Sequence, residues 1–583
     1  MGKAATRAPD REGAVNEKLV ELLGIARGDA PADTRFVGGR IVNVLTGEVE
    51  DTDVAVARGT IVGVGGGHDA RETVAMERRF LLPGFLDAHV HIESSLVTPA
   101  QFARAVVPRG TTTVVCDPHE IANVHGMEGI DYLLEASEGL PLDVLVMASS
   151  CVPATDMATA GARLDASDLA SLADHPRVLG LAEVMNFPGV IGGREDVLAK
   201  IGVFRGRPID GHAPGVGGRA LGAYVLGGPG SDHESTSPAE AVEKLRRGLF
   251  LFLREATNAR NLADLLPALT PSNLRRVALC TDDRQPPDLL DEGGIDAMLR
   301  TLVRSGIPPL EAIRTATLNP SEYFGLRDRG ALAPGRRADL VVVETLEALE
   351  VVEVWSAGRR VARHGVAEPW RAPDVRAPAP SMRLDPDALE LAIPSQDRPV
   401  RVIVVVEDQI VTRSETARPS VRDGEVVADP ARDLLKIAVA ERHAGSGRVA
   451  VGLVRGMGLS RGAMGGTVAH DHHNVILVGA DDGSMRTAAR RLVAMGGGLV
   501  VAEGDRVHAE LALPVGGLMS DRPIEEVRRG LDGVVAAARS LGSPLHDPFM
   551  AMSFLGLEVI PSLKITDQGL VDVDAFRKVE LWA

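Results

Sequence analysis

From residue 81 the chain alternates short apolar runs with amphipathic ones, eight times over. The apolar runs are Leu82–Glu93, Thr111–Asp117, Leu142–Ala148, Val178–Val184, Pro208–His212, Gly230–His233, Leu249–Glu255 and Val277–Asp283. Near-continuous apolar runs of this length suit strands buried on both faces. Strands that alternate with helical segments, for instance Pro238 to Arg247 and Ala259 to Ala268, predict βαβ units and a parallel sheet. Eight such units match an α/β fold of the (β/α)8 TIM type, whose active site is built at the carboxyl ends of the strands.

The flanks read differently. Apolar positions at helical spacing (Val15, Leu19, Leu22, Leu23, Ile25) predict a helix over 13–27 within an N-terminal segment 1–30, whose first twelve residues read as disordered. Short β-branched runs follow at Arg35–Val44, Val54–Val56 and Thr60–Val64, and again beyond the barrel at Leu340–Val343, Val351–Trp355 and Arg359–Ala362. These predict one small β-sandwich domain built from both flanks, residues 31–80 plus 330–368, around a barrel at 81–329. Prolines 369, 373, 378 and 380 mark a linker. Residues 382–583 then form a C-terminal α/β domain.

Composition narrows the function. With 45% hydrophobic and 25% charged residues this is an ordinary globular chain. A net charge of −17 argues against broad nucleic-acid or anionic-membrane binding, and 3% aromatics leave few stacking platforms for single strands. Three cysteines, Cys116, Cys151 and Cys280, form no CxxC pair. They fit a reducing cytoplasm better than a disulfide framework. No signal peptide or membrane-length apolar run stands out.

The chemistry sits at the strand ends. His89 and His91 share a face of strand one, because side chains alternate with a period of two. His212 and His233 end strands five and six, Glu183 lies near the end of strand four, and Asp282 and Asp283 end strand eight. Four histidines and two carboxylates exceed one tetrahedral zinc with an open position. They suit two divalent metals that share a water and lower its pKa, with manganese, iron or zinc compatible with the donors. Asp282 can both bind a metal and pass a proton, and Asp283 either reaches substrate or caps the loop. His119 is a further ligand, a proton carrier or a loop histidine. Glu120 and Glu234 each follow a histidine and are candidates for substrate binding or proton transfer. The cluster His470-Asp471-His472-His473 can bring at most two side chains to one place if it lies in a strand; a lid or substrate contact through His470 and His473 is the preferred reading.

These residues resemble the amidohydrolase superfamily and, within it, the bacterial adenine deaminase family. The resemblance rests on LLPGFLDAHVHIESSLVTPAQFARAVVPRGTTTVVCDPHEIANVHG, AEVMNFPGV, DGHAPG, SDHEST, CTDDR, AHDHHN and ITDQGLVDV. It implies hydrolysis of the exocyclic C–N bond of adenine, a cyclic amidine, to hypoxanthine and ammonia in purine salvage. It also implies a binuclear Mn2+ or Fe2+ centre, with Zn2+ as the alternative, held by His89, His91, Glu183, His212, His233 and Asp282. Glu183 takes the bridging place where many relatives carry a carboxylated lysine. Asp282, Glu183 and His233 are then the catalytic residues, in a cytoplasmic homo-oligomer, most simply a dimer. His472 departs from the pattern, standing where a serine is expected. The alternatives are an amidohydrolase acting on another aminopurine or a cyclic amide, and a non-catalytic purine- or metal-binding paralogue. The zinc nucleobase deaminases are excluded, since their P-C-x-x-C signature is missing.

Overall fold

The computed structural model describes residues 11–379 and 381–583, the side chains of 11–16 excepted. The expected disorder of the first residues, up to residue 10, and the apolar role of Val15 fall outside what is described. The chain divides into two compact units.

The first unit comprises residues 1–86, 107–113 and 295–369. Its helix Arg11–Arg27 precedes two sheets of four and seven strands. The seven-stranded sheet interleaves both flanks: Phe80–Pro83 lies between Arg40–Asn43 and Leu340–Val343, and pairs antiparallel with the latter. One cluster joins Phe36, Val54 and Ile61 to Leu340, Val342 and Trp355. The Phe36 and Trp355 rings meet edge to face with centroids 5.0 Å apart, a favoured aromatic arrangement.

The second unit comprises residues 87–106, 114–294 and 370–583. It carries the parallel strands β1 (Phe85–Val90), β2 (Thr111–Cys116), β3 (Asp143–Ala148), β4 (Val178–Val184), β5 (Ile209–Gly211), β6 (Ser231–Asp232), β7 (Phe250–Arg254) and β8 (Val277–Cys280), the first residues of β1 and β2 being counted with the first unit. Strands β1 to β5 form one curled sheet in chain order and β6 to β8 another. Backbone hydrogen bonds join these sheets at both seams. The Gly230 amide donates to Ile209 O at 2.8 Å, and the Asp282 amide donates to His89 O at 3.0 Å. Strands β1, β2, β7 and β8 are buried along their whole length, as strands covered on both faces must be. The result is a TIM-type α/β arrangement.

Local chemistry sets the connecting helices. Pro238–Arg246 starts with Pro at its first position, and Ser237 Oγ accepts from the Glu240 amide at 3.4 Å. The helix expected over 259–268 is shorter. Glu255 and Arg260 close a turn first, leaving one helical turn at Leu262–Leu265 and a 3-10 turn at Leu266–Ala268. Pro267 has no N–H to extend an α-helical ladder.

Residues 400–512 build an eight-stranded, mainly antiparallel sheet, with Val400–Val405 and Val449–Arg455 pairing parallel. Helix Asp482–Met495 packs Met485, Ala488 and Leu492 on Val475, Leu477 and Val500. The three-stranded sheet of Leu563–Thr566, Gly569–Asp572 and Arg577–Val579 follows.

Candidate metal centre

Buried hydrogen bonds inside the barrel aim the strand ends. Asp87 accepts from Thr281 Oγ1 at 2.5 Å and from the Thr281 amide at 3.1 Å, which ties β1 to β8 below the histidines. The His212 amide donates to Tyr224 Oη at 2.8 Å, and that hydroxyl lies 3.0 Å from Val184 O. Asp232 accepts from the Ala213 and Glu234 amides and pairs with the buried Lys244 at 2.7 Å. It thereby holds the residues on either side of His233. Asp282 has a left-handed backbone, φ 55°. Asp tolerates that region better than most residues, and strain of this kind gathers at functional sites.

The side chains then converge. His89 Nε2 and His91 Nε2 are 3.1 Å apart. Glu183 Oε1 lies 3.6 and 3.2 Å from these nitrogens, and Asp282 Oδ1 lies 3.5 and 3.2 Å from them. The other oxygen of Glu183 faces His212 Nδ1 at 2.6 Å and His233 Nε2 at 3.3 Å. Glu183 therefore stands between the pair from β1 and the pair following β5 and β6. All six residues are buried.

His91 Nδ1 lies 2.9 Å from Asp117 O. That contact keeps the ring proton on Nδ1 and frees Nε2 as a donor atom, the usual outer support of a metal-binding histidine. His212 Nε2 and His233 Nδ1 are buried without a hydrogen-bond partner. Four buried imidazoles each hold a ring nitrogen 2.6–3.6 Å from Glu183, with Asp282 beside the first pair, and donors of this chemistry fit divalent cations. Metal-compatible groupings among the described residues include His89-His91-Asp282, His89-Glu183-His233 and His212-His233-Glu234.

A second ring surrounds this centre. His119 Nδ1 lies 2.9 Å from Asp117 Oδ2 and 3.6 Å from Glu183 Oε1. Asp283 lines the same cavity and accepts from Ser94 Oγ at 2.5 Å. Burial, then the charge of Asp282, pushes the Asp283 carboxyl upward. Glu234 pairs with the Arg254 guanidinium, whose Nη1 is also 3.3 Å from Asp282 Oδ2. Glu120 receives His470 Nδ1 at 2.6 Å on one oxygen and His473 Nε2 on the other. Burial opposes ionisation of Glu120, but the charges of His470, His473 and His119 outweigh it and hold the carboxyl well below its ordinary range.

The sequence-derived candidates, His472 excepted, are thus drawn to one place. One conformational expectation is corrected. Residues 470–472 form a turn, not a strand. The alternation of faces does not apply, and His470, Asp471 and His473 all reach the barrel side; Asp471 Oδ1 lies 3.4 Å from His119 Nε2. His472 does not face the site: its Nδ1 accepts from the Asn474 amide and its carbonyl faces His443. Sequence reasoning missed Arg254, although its position at the end of β7 is the same signal that found the others. It named Asp471 in the 470–473 cluster but preferred His470 and His473, and it missed the apolar lining by Met185, Ile410, Phe554 and Leu557, which nothing local to those residues reveals.

A barrel of this type with histidine and carboxylate donors at its strand ends defines the amidohydrolase class, and residues 80–361 match the model of the amidohydrolase family. Residues 409–577 match the adenine deaminase C-terminal domain. The adenine deaminase of Desulfatibacillum aliphaticivorans is 48% identical over 565 residues, 96% of this chain and 99% of that protein. The adenine deaminase of Cereibacter sphaeroides is 49% identical over 568 residues, 97% and 100% of the two chains. The chain belongs to the adenine deaminase family. Among solved structures, an adenosine deaminase from Xanthomonas campestris with bound zinc aligns with a TM-score of 0.42 and 19% identity, over 58% of this chain and 95% of that one.

Proposed function

We propose that this chain hydrolyses adenine to hypoxanthine and ammonia. The observation that carries the reading is the placement of Glu183 between two histidine pairs, with Asp282 on the first pair, in a chain of this family. His89, His91, Glu183, His212, His233 and Asp282 would hold two divalent ions, manganese or iron by family analogy and zinc as the alternative. Such ions, when bound, make water available as a nucleophile at neutral pH.

The chain's own residues supply the rest. Asp282 takes a proton from the attacking water and returns it to the departing amine as the C6–N bond breaks. Arg254 orients the Asp282 carboxylate and keeps it ionised between transfers. Burial disfavours that ionisation, but hydrogen bonds from His89 and His91 and the charge of Arg254 overcome it. Asp283, Glu120 and Glu234 line the cavity as carboxylates for adenine's N–H groups, one on the imidazole ring and two on the exocyclic amine. His119 and the turn carrying His470 and His473 hold Glu120 in place. The apolar lining keeps bulk water away from all but the attacking molecule.

The domain reading extends this proposal: a sandwich from both flanks, a catalytic barrel at 81–329 and a C-terminal domain at 382–583 that completes the site. No helix among the described residues is long and apolar enough to cross a membrane, and the three cysteines are free and buried. A cytoplasmic homo-oligomer is proposed on the family resemblance. The test is ammonia release from free adenine by protein of measured metal content, with Glu183→Gln as control. Failure of the manganese- and the iron-loaded protein to turn over adenine would refute the assignment.

A further inference from the structure

The cavity has a polar floor and an apolar wall, and the wall is held from outside the barrel. Ile410, Phe554 and Leu557 line it opposite the barrel's donors. The Phe554 ring stacks on His470 at 4.7 Å with planes 15° apart. Cys151, Ala154, Met550, Val559 and Ile560 fill the same apolar cluster behind them.

Lys564 sits behind this wall, fully buried. Its Nζ donates to Ile410 O at 2.8 Å and to Phe554 O at 2.9 Å. Both acceptors belong to residues of the wall, 144 positions apart in the chain. No carboxylate lies within ion-pair distance of Lys564 among the described residues. Burial alone lowers the amine, to about 7, so near neutrality it serves as a hydrogen-bond donor as much as a cation. The neighbouring backbone reinforces the clip: Thr412 Oγ1 donates to Leu563 O at 2.8 Å, and the Thr412 amide donates to Pro561 O at 2.9 Å.

We propose that Lys564 is a positioning residue for substrate affinity: by joining the carbonyls of Ile410 and Phe554 it sets the spacing of the apolar wall against the flat face of the purine. The proposal rests on the functional reading above for the identity of the ring. Lys564 touches neither substrate nor the metal donors. A planar ring in a slot loses contact quickly when one side recedes, because dispersion falls steeply over a fraction of an ångström. Loss of the clip therefore weakens binding in the ground state and the transition state alike, which raises KM and spares kcat.

The test compares wild type with Lys564→Met, which keeps the stem and removes both hydrogen bonds, and Lys564→Gln, which keeps a donor. All are assayed with adenine at matched metal content. KM is expected to rise about tenfold in Lys564→Met with kcat little changed, the size of one or two lost hydrogen bonds; Lys564→Gln should fall between. Phe554→Ala and the double variant complete a cycle, in which the two effects on KM should not add. Hydrogen–deuterium exchange of the peptides holding Ile410 and Phe554 should rise in Lys564→Met and Lys564→Gln. Unchanged KM, additive effects with Phe554→Ala, or unchanged exchange at both peptides overturns the proposal. If Lys564→Met does not fold, Lys564→Gln and its exchange decide. If wild type does not turn over adenine, the functional reading fails, while the exchange comparison still judges the clip.

Discussion

Replacing Glu558 by Gln should make the protein more stable in alkali and leave it unchanged in acid. Glu558 is 2% exposed, beside Leu557 of the cavity wall, and its Oε1 accepts from Thr155 Oγ1 at 2.8 Å. Burial pushes its carboxyl from 4.5 up to about 8, against the opposing Thr155 hydrogen bond. Between those values the folded protein holds a proton that the unfolded chain has released. Stability therefore falls as pH rises through this window and levels off above pH 8. A separation of about 3.5 pH units at about 1.4 kcal/mol per unit gives a loss of about 5 kcal/mol across the window, and about 3 kcal/mol by pH 7. Gln presents the neutral form at every pH, so the variant escapes this loss. Thermal unfolding of metal-loaded wild type and Glu558→Gln, from pH 5 to pH 9, measures the difference. The Tm advantage of the variant should be negligible near pH 5, grow through neutrality and reach its plateau above pH 8. A difference that stays flat across the range would refute the reasoning, and one that grows toward acid would reverse its sign.

Three further outcomes are expected. Glu183→Gln should lose most bound metal and adenine turnover together while keeping the fold, as read by elemental analysis and circular dichroism, because Glu183 alone faces both histidine pairs. Arg254→Met takes the guanidinium from the buried Glu234 and Asp282, leaving Glu234 with only His233 at 3.4 Å and His212 at 3.8 Å, and should cost about 3 kcal/mol of stability. Glu234→Gln in the same chain should recover part of it, measured as Tm in a double-variant cycle. In Gly180→Ala the new Cβ would meet Pro208 O at 1.9 Å, forcing β4 from β5. The expected cost is about 1–3 kcal/mol, seen as a lower Tm and weaker metal retention at Glu183.

The donor set was legible in the sequence because barrel strands obey a simple rule. An apolar run that ends in a titratable residue delivers that residue to the rim, whatever the rest of the chain does. His89, His91, Glu183, His212, His233 and Asp282 all follow from it, and Arg254 obeys it too. Covering both faces of a strand requires apolar residues throughout, so the strands announce themselves as well.

Other features were settled by packing between segments remote in sequence. The turn at 470–472 and the residue after it let His470, Asp471 and His473 all meet Glu120 or His119, where strand alternation would allow two. Phe554 and Ile410 are unremarkable apolar residues until Lys564 joins their carbonyls. The periodicity of the chain thus determined the strands and the candidate donor set, since each depends on a residue's place within its own strand. The tertiary structure alone decided which carboxylates pair with which bases and what closes the cavity. Those choices are contacts between distant segments, and no local pattern encodes their distance or orientation.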